Sequence, residues 1–351
     1  MAIHKLQAAR RTTQIVALAI VLAIPALSRY GNYLSARQLD RNLRKWDGTL
    51  QGASLGAIDR VLRLLPGGEK RREGDLVRHR ERVLTYVQQV RGGPWSVQLG
   101  DISLTDPLAG AESIAASKRL ASVLVVSLLI PVFLTLLLGR VFCSWICPMG
   151  LLLELVDKLR GLLRFLELPP RDLHFSRRVK TVLLCVGLVM AGITAVPVLG
   201  YVYPPAILGR EAHDLVFAIF DRAEQGRFGF WAGGLTWMSL LLAGIALFEA
   251  TVSRRWWCRY VCPGGALYAL LGRARPVRVR FKAAQCTDCG LCEAVCPMGL
   301  RPKQEGAGPE CDNCGLCVSH CGGKALNLEF RIGRQAPQSE AGPTSARLRA
   351  G

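Results

Sequence analysis

Residues 286–300 read CTDCGLCEAVCPMGL, and residues 311–325 repeat the pattern as CDNCGLCVSHCGGKA. Cys286, Cys289, Cys292 and Cys296 form CxxCxxCxxxCP, while Cys311, Cys314, Cys317 and Cys321 form CxxCxxCxxxCG. Two-residue spacing lets three thiolates reach three irons of one [4Fe-4S] cube, and the fourth cysteine of each run completes the other cube. The expected ligand sets are therefore Cys286, Cys289, Cys292 and Cys321 for the first cluster, and Cys311, Cys314, Cys317 and Cys296 for the second. Zinc also takes CxxC pairs, but two tandem CxxCxxCxxxC runs suit cluster ligation far better. Gly322 stands where proline usually follows the last cysteine; proline there shapes the backbone and supplies no ligand.

Working outward from this module, the 351-residue chain is 50% hydrophobic and carries a formal net charge of +19. Its apolar residues fall in long uncharged runs, which points to an integral membrane protein. The basic residues flank those runs without any nucleic-acid recognition motif, so they read as topology signals and no nucleic-acid partner is expected. Thirteen cysteines clustered as CxxC and CxxxC suit metal ligation rather than a secreted disulfide scaffold, and imply a reducing compartment.

Four runs approach the length needed to cross a hydrocarbon core about 30 Å thick. The predicted spans are residues 1–28, 120–139, 179–199 and 235–250, the first read as a transmembrane helix or signal anchor, with a cleavable signal peptide the lesser alternative because Lys5, Arg10 and Arg11 precede its apolar stretch. Residues 140–180 hold eight Lys and Arg against three in residues 200–230, so the first loop is expected inside and the second outside. This gives a cytoplasmic loop at 140–178 and an extracytoplasmic one at 200–234. A second cytoplasmic segment covers 251–280, the ferredoxin-like module 281–330 and a disordered tail 331–351. Segment 29–119 falls outside, despite sixteen basic residues, because segments longer than about 60 residues escape the charge rule. It reads as a small, mostly helical domain with a helix at 75–90 ended by Gly92-Gly93-Pro94, and it has no cysteine and no CxxCH.

A second motif sits where two spans end inside. RVFCSWICPMGLLLEL (140–155) and RWWCRYVCPGGALYAL (255–270) align without a gap, which suggests duplication and pseudosymmetric packing. Cysteines at i and i+4 of a helix share a face, so Cys143, Cys147, Cys258 and Cys262 would present four sulfurs to one site. That site is either a further metal centre or a redox-active thiol set. The plainer alternative is that small cysteines pack between helices while Trp145, Trp256, Trp257 and Tyr260 anchor the interface.

Residues 281–330 resemble the bacterial two-cluster ferredoxin domain. Together with the spans and the two CxxxCP motifs, residues 120–330 resemble the NapH/MauN-type membrane polyferredoxins, and more distantly the NosR and CcoG proteins; Ile102–Leu108 also looks like that family. The resemblance implies an α-helical integral membrane protein of about four transmembrane helices with a C-terminal α+β two-[4Fe-4S] ferredoxin domain, in a bacterial inner membrane. It implies electron transfer from the quinol pool toward a periplasmic reductase or its maturation system, as the electron-transfer subunit of an oxidoreductase system with a partner protein. The chain departs by its longer outer segment. No flavin-threonine attachment motif of the NosR kind is present, so no flavin is expected.

The other function classes fit less well. A metallocentre-assembly factor that reduces copper or a cysteine-bound cofactor is the runner-up. A transporter would carry charged or broken helices at the midplane, and apart from Pro25 and Pro131 there is little of that. Nucleophile, phosphate loop and acid–base pair are all unrecognisable. Cys185 reads as a packed small residue, His320 as a neighbour of its cluster, Glu249 as facing headgroups, and His213 as either an exposed loop histidine or a proton acceptor.

Overall fold

The computed structural model describes residues 2–35, 39–63, 90–93, 96–99, 102–165, 167, 173–224, 237–303 and 308–330. The 34-residue helix α1 (Ala2–Ser35) carries Pro25 within it. Its stretch Leu6–Asn32 is long and apolar enough to cross a membrane. Helices α2 (Leu39–Lys45) and α3 (Leu50–Arg63) fold back onto its far end. There Tyr30, Leu39, Trp46 and Leu55 make a small core, and the Tyr30 hydroxyl donates to Asp59 at 2.8 Å.

The helical reading of segment 29–119 needs correction beyond this point. Strands β1 (Val90–Gly93), β2 (Ser96–Leu99) and β3 (Ile102–Thr105) form an antiparallel meander, with Val90 opposite Leu99 and Ser96 opposite Thr105. Gly92 and Gly93 thus belong to a strand instead of ending a helix; the helix expected at 75–90 falls outside the described residues except for Val90. After β3, Asp106 caps α4 (Pro107–Ser117) by accepting from the Leu108 and Ala109 amides, with Pro107 at the first helical position.

Helix α5 (Ser122–Leu138) stops at Gly139, whose φ of 72° suits only a residue without Cβ. A short α6 (Val141–Trp145) leads to α7 (Pro148–Phe165), then α8 (Arg178–Thr194). The stretch 200–234, read from sequence as a loop, contains the 21-residue helix α9 (Pro204–Glu224). Its charges break the apolar run, so a search for unbroken hydrophobicity passes over it, yet Ala206, Ile207 and Ala212 are buried. Helix α10 (Trp237–Thr251), a π-helical turn at Trp257–Val261 and α11 (Pro263–Leu271) complete the helical body.

Among the described residues one helix meets the length and hydropathy of a membrane span on its own, whereas the sequence reading has four; α5 and residues 239–251 are shorter apolar helices. Apolar side chains nevertheless line the outer faces of α5 and α8, with Val126, Leu129, Val186 and Ile193 exposed.

Two halves of like order build this body, α1-α4-α5-α6-α7 and α8-α9-α10-π-α11, and they exchange their last helices. Helix α7 packs on α1, α9 and α10, while α11 packs on α4, α5 and α8. The shared core includes Leu108, Met149, Leu184, Tyr203, Ile245 and Trp257. Each CxxxCP segment is the hinge of this exchange.

The C-terminal module is closed by β4 (Val277–Phe281) paired antiparallel with β5 (Leu326–Phe330), with Val277 opposite Phe330. It therefore starts a few residues earlier than the boundary read at 281. Between the strands lie the one-turn helices α12 (Leu291–Ala294) and α13 (Leu316–Ser319).

Candidate iron–sulfur sites

Both cysteine runs of the module turn the same way. Gly290 (φ 72°) and Gly315 (φ 73°) start α12 and α13 in the left-handed region, and Asp288 and Asn313 also have positive φ. These turns place Cys292 and Cys317 on the two helices, buried together with Val279, Val318 and Leu326, and Cys311 and Cys321 pack against that core. One cavity is lined by Cys311, Cys314, Cys317 and Cys296. That is the crosswise set the spacing predicts for the second cluster, so the residues present fit a cube held by four thiolates. Of the first set, Cys286, Cys289, Cys292 and Cys321, Cys289 is exposed and Cys292 buried. The amide of Asp288 donates to the Cys286 sulfur, and that of Leu300 to the Cys296 sulfur, each at 3.4 Å. Amides of this kind favour thiolate over thiol; the Leu291 amide and then the Thr287 hydroxyl hold the Cys289 thiol low. Burial instead pushes Cys311 up to about 11.

The CxxxCP cysteines depart from the single-helix geometry expected of them. Cys143 lies in α6, but Cys147 lies past its end, where Pro148 opens α7. Cys258 lies in the π turn, and Cys262 is the N-cap of α11, its sulfur accepting from the Gly265 amide at 3.4 Å. The cause is the proline after each second cysteine, which cannot donate within a helix but is well placed to begin one. Three of them still meet at one core, because the halves exchange helices: Cys262 is buried in the central core, and Cys147 and Cys258 pack against that core. Arg140 donates to the Cys258 carbonyl at 3.4 Å and Arg255 to the Gly150 carbonyl at 3.5 Å, so each half's arginine braces the other half's cysteine segment. Burial pushes the Cys143 thiol up to about 12, against the pull of Arg140, and raises Cys147, Cys258 and Cys262 as well.

Buried polar contacts seat the module on the helices. Glu310 takes Arg140 at 2.5 Å and also Lys180; burial raises its carboxyl, but these two cations outweigh it and hold it low. Ser144 donates to the Asp312 carbonyl at 2.7 Å, Asn313 to the Leu138 carbonyl at 2.9 Å and Gln7 to the Cys314 carbonyl at 3.0 Å. Between the halves, Glu154 of α7 pairs with Arg255 at 3.5 Å, as well as with Arg10 of α1 at 2.7 Å.

Three of these groups escaped the sequence reading. Arg140 and Arg255 stand three residues before the first cysteine of each repeat, a signal visible in the alignment. Asp106 carries no such signal: it is buried, accepts from the Tyr203 hydroxyl at 3.1 Å and also from Tyr268, and burial raises it to about 6. Glu249, expected to face headgroups, is instead buried and accepts from the Trp257 amide at 3.1 Å, since α10 ends against the π turn. His213 is exposed on α9, 3.9 Å from Asp214, and Cys185 is exposed on α8. His320 bonds the Leu316 carbonyl through Nδ1 at 2.9 Å.

A family described as a 4Fe-4S binding domain matches residues 120–165 and 235–282, the two segments that carry CxxxCP. The chain is 34% identical over 207 residues to the methylamine utilization ferredoxin-type protein MauN of Paracoccus denitrificans, covering 58% of this chain and 64% of that protein. MauN of Methylorubrum extorquens is 30% identical, with 64% and 72% covered. The ferredoxin-type protein NapH of Escherichia coli is 32% identical, with 58% and 68% covered. The chain thus spans just under two thirds of the Paracoccus protein's length. No solved structure matches. On these likenesses the chain belongs to the NapH/MauN-type family of ferredoxin-type proteins.

Proposed function

We propose that the protein is a membrane-anchored iron–sulfur electron carrier that relays electrons between the quinol pool and a periplasmic reductase or its maturation system, as one subunit beside a redox partner. The observation that carries this reading is the cavity enclosed by Cys296, Cys311, Cys314 and Cys317, sulfurs drawn from both cysteine runs. On this reading Cys286, Cys289, Cys292 and Cys321 hold the first [4Fe-4S] cluster and the other four cysteines the second. Each cluster, when bound, supplies a one-electron carrier. The chain's residues do the rest. Val279 and Leu326 keep water from the buried sulfurs, and the exposed Cys289 edge is where a partner approaches. The apolar α1 and the outer faces of α5 and α8 support a membrane anchor, and the basic loop 140–180 supports a cytoplasmic module.

The test is iron and acid-labile sulfide in anaerobically purified protein, with single-turnover cluster reduction by a quinol in proteoliposomes. Cys289→Ser should lose about four irons, because one iron loses its thiolate. Iron content unchanged by this substitution, or reduction by no quinol, would overturn the reading.

A further inference from the structure

We propose that Cys143, Cys147, Cys258 and Cys262 form one composite iron–sulfur site, a third [4Fe-4S] centre to which each half of the helical body contributes two thiolates. The inference rests on the iron–sulfur reading above for its cofactor class, but not on the ligands assigned within the C-terminal module.

A cube takes four thiolates. Each of the two matched 4Fe-4S segments contains only two cysteines of a CxxxCP motif, so neither can hold a cube alone. The helix exchange removes that difficulty by bringing Cys147, Cys258 and Cys262 against one core, with Cys143 a turn before Cys147. The two motifs touch directly: Arg140, three residues before Cys143, donates to the Cys258 carbonyl at 3.4 Å.

The local chemistry repeats that of the module. Residues 147–151 read CPMGL, letter for letter the sequence of 296–300, where Cys296 lines the four-sulfur cavity. At Cys296 the Leu300 amide turns onto the sulfur at 3.4 Å. Gly265 does the same at Cys262, where the motif reads CPGG. Amide donors at a helix start favour a thiolate there.

Buried charge flanks the site. Arg140 and Arg255 are both buried, at 1% and 5% exposure. Arg140 pairs with Glu310, and Arg255 with Glu154 and Asp157. Their Nε atoms are buried without a hydrogen-bond acceptor, leaving donors that an anionic metal–sulfur centre can take up.

The full-length protein, purified anaerobically in detergent, decides the matter by its iron and acid-labile sulfide. About 12 of each per chain is expected, four for each of three cubes. Cys147→Ser and Cys262→Ser should each lose about a third, with the spectra of the C-terminal clusters kept, and Cys185→Ser should lose nothing. A parent content of about eight, unaltered by Cys147→Ser, overturns the proposal, as does one zinc per chain with sulfide at about eight. The parent count decides even if a variant misfolds. About four irons, lost in Cys262→Ser but kept in Cys289→Ser, would uphold this site while defeating the module's ligand assignment.

Discussion

In the C-terminal module the cysteines that share a cavity lie close along the chain, between Cys296 and Cys317. At the helix junction, Cys147 joins the core shared with Cys258 and Cys262 only because α7 and α11 cross into opposite halves. The difference is one of closure. Short turns with left-handed Gly290 and Gly315 bring the module's sulfurs together at small entropic cost, and one strand pair seals them. The junction has to close a far longer loop, and it holds that closure with buried charge: Arg140, Arg255, Glu154, Glu310 and Lys180. The module should therefore keep its form when the helical body is damaged. The junction should fail with any loss of helix packing.

The strongest way to break this contrast is Arg140→Met. The substitution removes the brace to Cys258 and leaves Glu310 with Lys180 alone. Breaking a buried pair costs about 3–5 kcal/mol, so the unfolding temperature should fall sharply and mild protease should release the module from the helices. A melting curve like the parent's would refute the buried-charge account.

A smaller effect is expected at Asp106, outside the predicted spans. Its carboxyl is raised to about 6, first by burial, with the Tyr268, Tyr203 and backbone hydrogen bonds opposing. A carboxyl raised on folding binds its proton more tightly in the native state. Its stabilising contribution is therefore present below pH ~4 and lost as pH rises through ~6, on the order of 3 kcal/mol in all. Asp106→Asn should remove this fall, measured as the difference between parent and variant unfolding over that window. Parallel pH curves would count against it.

The smallest expected change sharpens the comparison. A Cβ on Gly264 would meet the Tyr203 ring at 2.4 Å, beside Cys262. Gly264→Ala should cost about 1–3 kcal/mol by overpacking and disturb the junction while the C-terminal cluster spectra stay as they were. Equal disturbance of both would mean that the two regions are not separable.

The grouping of Cys296 with Cys311, Cys314 and Cys317 around one cavity was legible because spacing is a local property and the CxxCxxCxxxC run is repeated. The doubled RxxCxxxCP pattern was legible too, as a repeat, and so was the apolar α1. Helix α9 was hidden because its charges interrupt the hydrophobic run, and the meander at 90–105 because its glycines read as a terminator. The i, i+4 geometry assigned to the CxxxCP cysteines failed for a reason also in the sequence: Pro148 and Pro263 each begin a new helix.

What the sequence determined by itself is the set of cysteines that lie near one another along the chain, together with the repeat and the apolar segments, since spacing and periodicity act within a few turns. Only the tertiary structure decided which half each last helix packs against. That choice buries Arg140 and Arg255 beside the sulfurs and brings Asp106 to Tyr203 and Tyr268. It depends on the fit of Gly264 to Tyr203, of Gly187 to Leu199 and of Gly272 to Gly139. Such contacts join residues distant in sequence, and their energy is set by shape, which no local pattern records.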